Sequence, residues 1–187
     1  MQVTSETFFA VPCTRGQNMA TNSAAALEKL RYLDDLQVGE RFISATHTLD
    51  AAQIKAFASQ FDPQPFHLDE LAAQDTLFGT LAASGWHTAA LTMKLLVSGP
   101  LRLVNGLIGA GVEVSWPKPT RPGDVLHVES EIVEVVPSQS RPTQGIVILR
   151  SETLNQRGEV LQKMMAKLIV QRDPAPSGQC FNSREPS

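Results

Sequence analysis

The spacing of apolar and polar positions changes period several times along this chain, and the changes mark its elements. In "VGERFISATHTL", residues 38–49, the alternation is loose and β-branched and aromatic side chains are frequent, which predicts a strand. "DAAQIKAFASQF" moves to a helical period, with Ile54, Phe57, Ala58 and Phe61 at i, i+3, i+4 and i+7. Asp50 followed by Gln53 has the spacing of a capping box for this helix. Pro63 ends it, because the residue before a proline avoids helical geometry. A short helical turn is expected around 68–74. "SGWHTAALTMKLLVSGP", residues 84–100, opens on a good cap, Ser84, and stops at Gly99-Pro100. Its apolar residues (Trp86, Ala89, Ala90, Leu91, Met93, Leu95, Leu96, Val97) point in nearly every direction around the axis, so burial on most sides is expected.

Four more strands follow. "AGVEVSWP" alternates cleanly, with Val112, Val114 and Trp116 against Glu113 and Ser115. "RPGD" is a turn, "VLHVESEIVEVV" and "GIVILRSETL" are strands, and "NQRG" is a hairpin turn into a last strand, "EVLQKMMAKLIVQ". One strand, an apolar helix, then four strands in meander order describe an α+β class. The arrangement is that of a single hotdog domain over residues 27–172, a curved antiparallel sheet wrapped around a long apolar central helix. Such a sheet has long edges, and pairing across a two-fold axis is one way to cover them. A homodimer is the minimum assembly expected, with dimers able to assemble further.

Composition narrows the function classes. The chain has 187 residues, 42% of them hydrophobic and 19% charged, with a net charge of -3. No basic field or arginine-rich run argues for nucleic acid, and no apolar run approaches the roughly 18 residues of a membrane span. Two cysteines, Cys13 and Cys180, make no disulfide framework, so the cytoplasm is the expected compartment. Residues 1–26 and 173–187 have the composition of disordered extensions. "FFAVP" lacks the preceding basic segment and the length of a secretory leader, and Met19 is a candidate alternative start. The four histidines (47, 67, 87 and 127) show no metal-ligand spacing, so no metal site is expected.

Candidate chemistry sits in "FDPQPFH", residues 61–67. Asp-Pro is a common turn initiator, and a single loop histidine is usually a hydrogen-bonding structural residue. Three features favour a working pair in Asp62 and His67. The two prolines restrict Asp62 and Gln64 to extended geometry and pre-organise the side chains beside them. Asp62 follows the negative end of a helix, where its pKa is expected to rise, as suits a general base. Downstream, "ASGWHT" offers a helix start whose Gly85 N–H stands open to a developing oxyanion. An acid, an imidazole and an oxyanion site are the parts needed to add water across a double bond conjugated to a carbonyl. His87, two residues on, is read as a helix-start residue with local partners.

The stretch "FASQFDPQPFHLDELAAQDTLFGTLAASGWHTAALTMKLL" resembles the core of the MaoC-like dehydratases, which include the (R)-specific enoyl-CoA hydratases. Their motif is an aspartate, four residues, a histidine, and later a glycine opening the hotdog helix, matched here by Asp62, His67 and Gly85. "WPKPTRPGDVL" and "NQRGEV" are also similar to elements of this family, and the resemblance runs from about Tyr32 to Val170. It implies reversible hydration of a trans-2-enoyl-CoA to a 3-hydroxyacyl-CoA, a hydro-lyase reaction with the CoA thioester as substrate and no cofactor. Asp62 and His67 would hold one water as base and proton carrier, while the Gly85 amide holds the thioester oxygen. Gln64, Phe66, Ser84 and Trp86 would line the substrate, and the CoA would lie at a dimer interface. Arg121 and Arg141 are candidates for its phosphates, against a reading as solvated turn residues.

Some positions depart from the family pattern. Phe61, Gln64 and Phe66 stand where the family has glycine, asparagine and an aliphatic residue, and Met93 stands where it has a hydroxyl residue further along the helix. The departures keep the acid and the imidazole but change the pocket lining. Two other readings compete: a hotdog acyl-CoA thioesterase, and a non-catalytic acyl-CoA-binding subunit that keeps the motif as scaffold.

Overall fold

The computed structural model describes residues 30–174. The extension expected over 1–26, both cysteines and the tail beyond Pro174 lie outside the described residues.

The strand expected over 38–49 is two short strands, β1 (Arg41–Ile43) and β2 (His47–Thr48), both antiparallel to β4 (Val125–Pro137). The ladder is interrupted at Ser44. Its N–H donates to Val128 O at 2.9 Å, but the Val128 N–H returns to the Ser44 hydroxyl, also at 2.9 Å, rather than to a backbone carbonyl. Helix α1 (Ala51–Phe61) starts at Asp50, whose side chain accepts the Gln53 N–H at 2.8 Å. Only this half of the expected capping box forms, because the Gln53 side chain instead accepts from His47 Nε2 at 3.2 Å. Two short helices follow, α2 (Pro65–Leu68) and α3 (Glu70–Gln74), then the longer α4 (Gly85–Val97). The remaining strands are β3 (Ile108–Ser115), β5 (Gln144–Leu154) and β6 (Val160–Gln171).

The strand order is β1-β4-β5-β6-β3. This corrects the expected four-strand meander: only β4, β5 and β6 follow one another across the sheet, while β3 lies at the far edge against β6. Sequence neighbours are joined where turns are short, as at Asn155–Gly158, where Gly158 takes φ +72° that an L side chain disfavours. Between Ser115 and Val125 the connection runs long enough to skip two strands.

Alternating residues of the three central strands face inward, among them Leu126, Val128, Ile132, Val147, Leu149, Ala166 and Leu168. A bulge at Val133 lets β4 resume this pattern, with Glu134 paired to Ile148 and Val135 packed inward. Two apolar clusters result. One gathers Leu33, Leu36, Leu101 and Leu103 on the β4–β6 inner face; the other gathers Leu49, Ile54, Leu81, Leu91 and Leu95 against Leu126 and Val128.

Helix α4 is not buried on most sides. Leu91, Leu95, Thr88 and Thr92 are buried, while Trp86, Met93 and Val97 are 63%, 45% and 60% exposed. Edge strand β3 is likewise exposed, with Ile108 and Val112 among the large apolar side chains left in the open. Counting apolar residues around a helix measures how much of it avoids water, and cannot tell a face buried within the chain from one left for another surface. Among the described residues no helix is long and apolar enough to cross a membrane.

Candidate active site

Asp62 caps the C-terminus of α1, its N–H donating to Ala58 O at 2.9 Å and its backbone leaving helical geometry at φ -154°, ψ 68°. Gln64 is extended (φ -86°, ψ 141°), as the proline after it requires. Pro65 does more than stiffen a loop. It is the first residue of α2, a position where a fixed φ and a missing N–H carry no penalty. That single turn carries His67 back towards Asp62, with His67 only 4% exposed. The His67 Nδ1–H donates to Ala82 O at 2.7 Å. Because a carbonyl only accepts, Nδ1 holds a proton and Nε2 is the nitrogen facing the acid. His67 Nε2 lies 3.4 Å from Asp62 Oδ2. Phe66 packs edge-on against the imidazole, with ring centres 4.5 Å apart, and Phe78 lies beside Phe66 at 5.0 Å and 5.9 Å from the imidazole.

The expected upward shift of the Asp62 pKa is not found. Burial pushes it up, but the Ser84 hydroxyl, the Gln64 amide and the neighbouring His67 together outweigh burial and hold the carboxyl below its ordinary value. Gln64 Nε2 donates to Asp62 Oδ1 at 2.7 Å. Donors aimed at the carboxylate act over one bond length, whereas the helix end acts through a diffuse partial charge. Gln64, expected to line the substrate, is thus engaged with the acid.

Ser84 is 1% exposed and its Oγ accepts the Trp86 N–H at 3.2 Å, capping α4. The Gly85 N–H, like the others of a first helical turn, has no acceptor within its helix. A Cβ placed on Gly85 would lie 2.8 Å from Cε2 and 2.9 Å from Cδ2 of Trp116, so an indole closely covers this glycine. Trp86, largely exposed, meets the same indole edge-on at 5.5 Å. Trp116 is fixed in turn: its Nε1–H donates to Gln162 Oε1 at 2.8 Å, and Gln162 Nε2 donates to Thr92 Oγ1 at 3.0 Å. Gln162 and Thr92 are both 0% exposed. Thr92 also pairs with Thr153 at 2.6 Å, and Thr88 with Thr120 at 2.8 Å. Sequence reasoning missed Trp116, Gln162 and these threonines as parts of the site. The available signal was Thr88 and Thr92 at i and i+4 in an otherwise apolar helix, a spacing that puts two hydroxyls on one face.

His87 lacks the local partners expected of it. It is 6% exposed, stacks flat on Phe57 at 4.5 Å, and its Nδ1 has no hydrogen-bond partner among the described residues. Burial, with a smaller push from His47, lowers its pKa from 6.5 to about 4. The unfolded chain therefore binds a proton here at pH values where the folded chain does not, and stability falls as pH drops from 6.5 towards about 4. The loss expected from this group is of order 1–3 kcal/mol. Urea unfolding between pH 7 and 4.5 should show it, and His87→Phe, which keeps the stack, should flatten the curve; an unchanged slope would assign the acid sensitivity elsewhere.

Arg121 is neither a free cation nor a solvated turn residue, since its guanidinium donates to the carbonyls of Phe78, Thr80 and Leu81. Arg141 is exposed in the turn between β4 and β5. Among the described residues no cluster of three or more His, Cys, Asp or Glu could hold a metal.

Comparisons with known proteins identify the family. Residues 35–152 match the family described as the MaoC like domain. The crystal structure of a MaoC-like dehydratase from Rhodospirillum rubrum is 62% identical, with a TM-score of 0.76 over 78% of this chain and 99% of its own. A 3-hydroxybutyryl-CoA dehydratase from Methylorubrum extorquens is 29% identical over 147 residues, 74% of this chain and 87% of that protein. The uncharacterized protein YdeM of Bacillus subtilis (strain 168) is 32% identical over 133 residues, 67% of this chain and 88% of that one. With its match spanning β1 to β5 and its hotdog fold shared, this chain belongs to the MaoC-like dehydratase family.

Proposed function

We propose that this chain is an acyl-CoA hydratase or dehydratase that interconverts a trans-2-enoyl-CoA and a 3-hydroxyacyl-CoA. The observation that carries the reading is the His67 imidazole, tied through Nδ1–H to Ala82 O and presenting Nε2 3.4 Å from Asp62 Oδ2. Both atoms accept, so a water seated beside the pair can donate a hydrogen bond to each. In the hydration direction, the pair removes one proton from this water as its oxygen bonds to C3 of the enoyl group. The electron pair of the C2–C3 double bond moves towards the thioester, and the oxygen gains enolate charge. The Gly85 N–H at the start of α4 would hold that oxygen, aided by the helix dipole. The proton taken from water is returned to C2, so that one water is added in all. No redox step occurs and the thioester activates its own double bond, so the reaction needs no cofactor.

Asp62, held below its ordinary pKa, is ionised at neutral pH before water binds and is free to accept from it. Ser84 and Gln64 orient it, and Phe66 and Trp86 shape the acyl pocket. The apolar side chains left open on α4 and β3, together with the edge of β3 that no strand among the described residues pairs, support a homodimer built through that face. The cytoplasm is the compartment we infer.

The relative from Methylorubrum extorquens is a 3-hydroxybutyryl-CoA dehydratase, which makes crotonyl-CoA the first substrate to try. Purified protein with crotonyl-CoA and longer or branched enoyl-CoAs is expected to remove the conjugated-thioester absorbance without releasing free thiol. Thiol release would identify a thioesterase instead. Tight binding without turnover of any member would identify a non-catalytic acyl-CoA-binding subunit.

A further inference from the structure

We infer that Arg121 is a positioning residue for His67, acting through the carbonyls of the segment 78–82. This segment has no regular secondary structure beyond turns, yet it supplies the carbonyl that fixes the imidazole. Its own carbonyls need donors, and one side chain provides them. Arg121 Nη1 donates to Thr80 O at 2.6 Å and to Leu81 O at 3.2 Å, while Nη2 donates to Phe78 O at 2.6 Å. The next carbonyl, Ala82 O, accepts from His67 Nδ1. The Ala82 and Ala83 N–H groups donate to Phe66 O at 3.3 Å and Thr120 O at 2.9 Å. The segment is therefore gripped on one side by α2, which carries His67, and on the other by Thr120 and Arg121.

Arg121 has a firm footing. Its N–H donates to Asp124 Oδ2 at 2.8 Å, and the Asp124 N–H returns to Arg121 O at 3.2 Å. Asp124 is 2% exposed and is met on its other oxygen by Asn155 at 3.2 Å and Arg157 at 3.4 Å. A planar guanidinium can serve several carbonyls at fixed angles, whereas an ammonium offers one flexible point of donation. With three of its N–H donors committed to backbone, Arg121 is set up to hold this segment rather than to grip a CoA phosphate.

The inference rests on the hydratase reading for its kinetic arm only. In that arm, Arg121→Gln and Arg121→Lys are compared with the parent on crotonyl-CoA and on crotonyl-pantetheine, which lacks the nucleotide and its phosphates. A loosened His67 should lower kcat roughly 10- to 100-fold, equally on both substrates and with KM little changed, and lysine should recover part of the loss. A rise in KM confined to crotonyl-CoA would make Arg121 a phosphate contact and overturn the inference. The second arm needs no turnover. In protein labelled with 15N-histidine, the exchange-protected Nδ1–H of His67 is identified by its absence from His67→Ala. At a temperature where each variant is folded, that signal should weaken or vanish in Arg121→Gln and persist in part in Arg121→Lys. If it is unchanged in both, Arg121 contributes stability alone and the inference fails, whatever the reaction proves to be.

Discussion

Asp62→Asn is expected to lower turnover on an enoyl-CoA by roughly 10²- to 10⁴-fold, the range for a positioned acid–base group, while the unfolding midpoint stays close to the parent's. Asparagine matches the shape of the carboxylate and keeps an oxygen for the Ser84 hydroxyl, but it cannot accept a proton. His67→Ala should cost activity on the same scale, and it also strips Ala82 O of its donor, a fold penalty of about 1–3 kcal/mol. The double variant is the sharper experiment. Two residues that hold one water act as a unit, so removing both should cost little more than removing the more important one. Measured rates in which the two losses multiply would mean that Asp62 and His67 do not share a reacting water.

Gly85→Ala carries the second large effect. Its backbone is not at positive φ, and alanine would ordinarily favour a helix by about 0.5–1 kcal/mol. The added Cβ would instead press on the fused bond of the Trp116 indole at 2.8–2.9 Å. The indole cannot slide freely, since its Nε1–H is tied through buried Gln162 to Thr92. Overpacking of this kind costs about 1–3 kcal/mol, and relief by moving the start of α4 would displace the Gly85 N–H. Loss of one such donor lowers kcat by roughly 10²- to 10³-fold. Denaturant unfolding and kcat together test this. Adding Trp116→Ala should make Gly85→Ala nearly harmless to stability, a coupling that a double-mutant cycle measures. A Gly85→Ala protein as stable and active as its parent would show that close approach is not why a glycine stands there.

What could be read in the chain, and what could not, follows from sequence distance. Asp62, Pro63, Pro65 and His67 are neighbours, and the local rules for prolines and helix ends suffice to see that the acid and the imidazole are held in a fixed relation. The central helix and the hairpin turn at Asn155–Gly158 are local too. The place of β3 was not readable, because its preference for β6 over β4 is a matter of which edge its residues meet after the chain has turned back. The same holds for Trp116, whose partner Gln162 is 46 residues away, and for Arg121, whose carbonyls lie 40 to 43 residues upstream. The sign of the Asp62 shift failed in part for a related reason: of the groups that outweigh burial, Gln64 and His67 lie within FDPQPFH, but Ser84 is 22 positions on.

The strand order has a consequence for how such a site can diverge. Leaving β3 at one edge and entering β4 beyond β6 and β5 obliges residues 116–124 to cross three strand spacings, about 14 Å, and this crossing brings Trp116, Thr120 and Arg121 against the start of α4 and the segment before it. The acid and imidazole come from one stretch of chain, and the wall beside them comes from another. Substitutions at Trp116 in the crossing can therefore reshape what fits in the site while leaving Asp62, His67 and the Arg121 contacts untouched, so descendants of one ancestral gene can part in substrate while keeping a common chemistry.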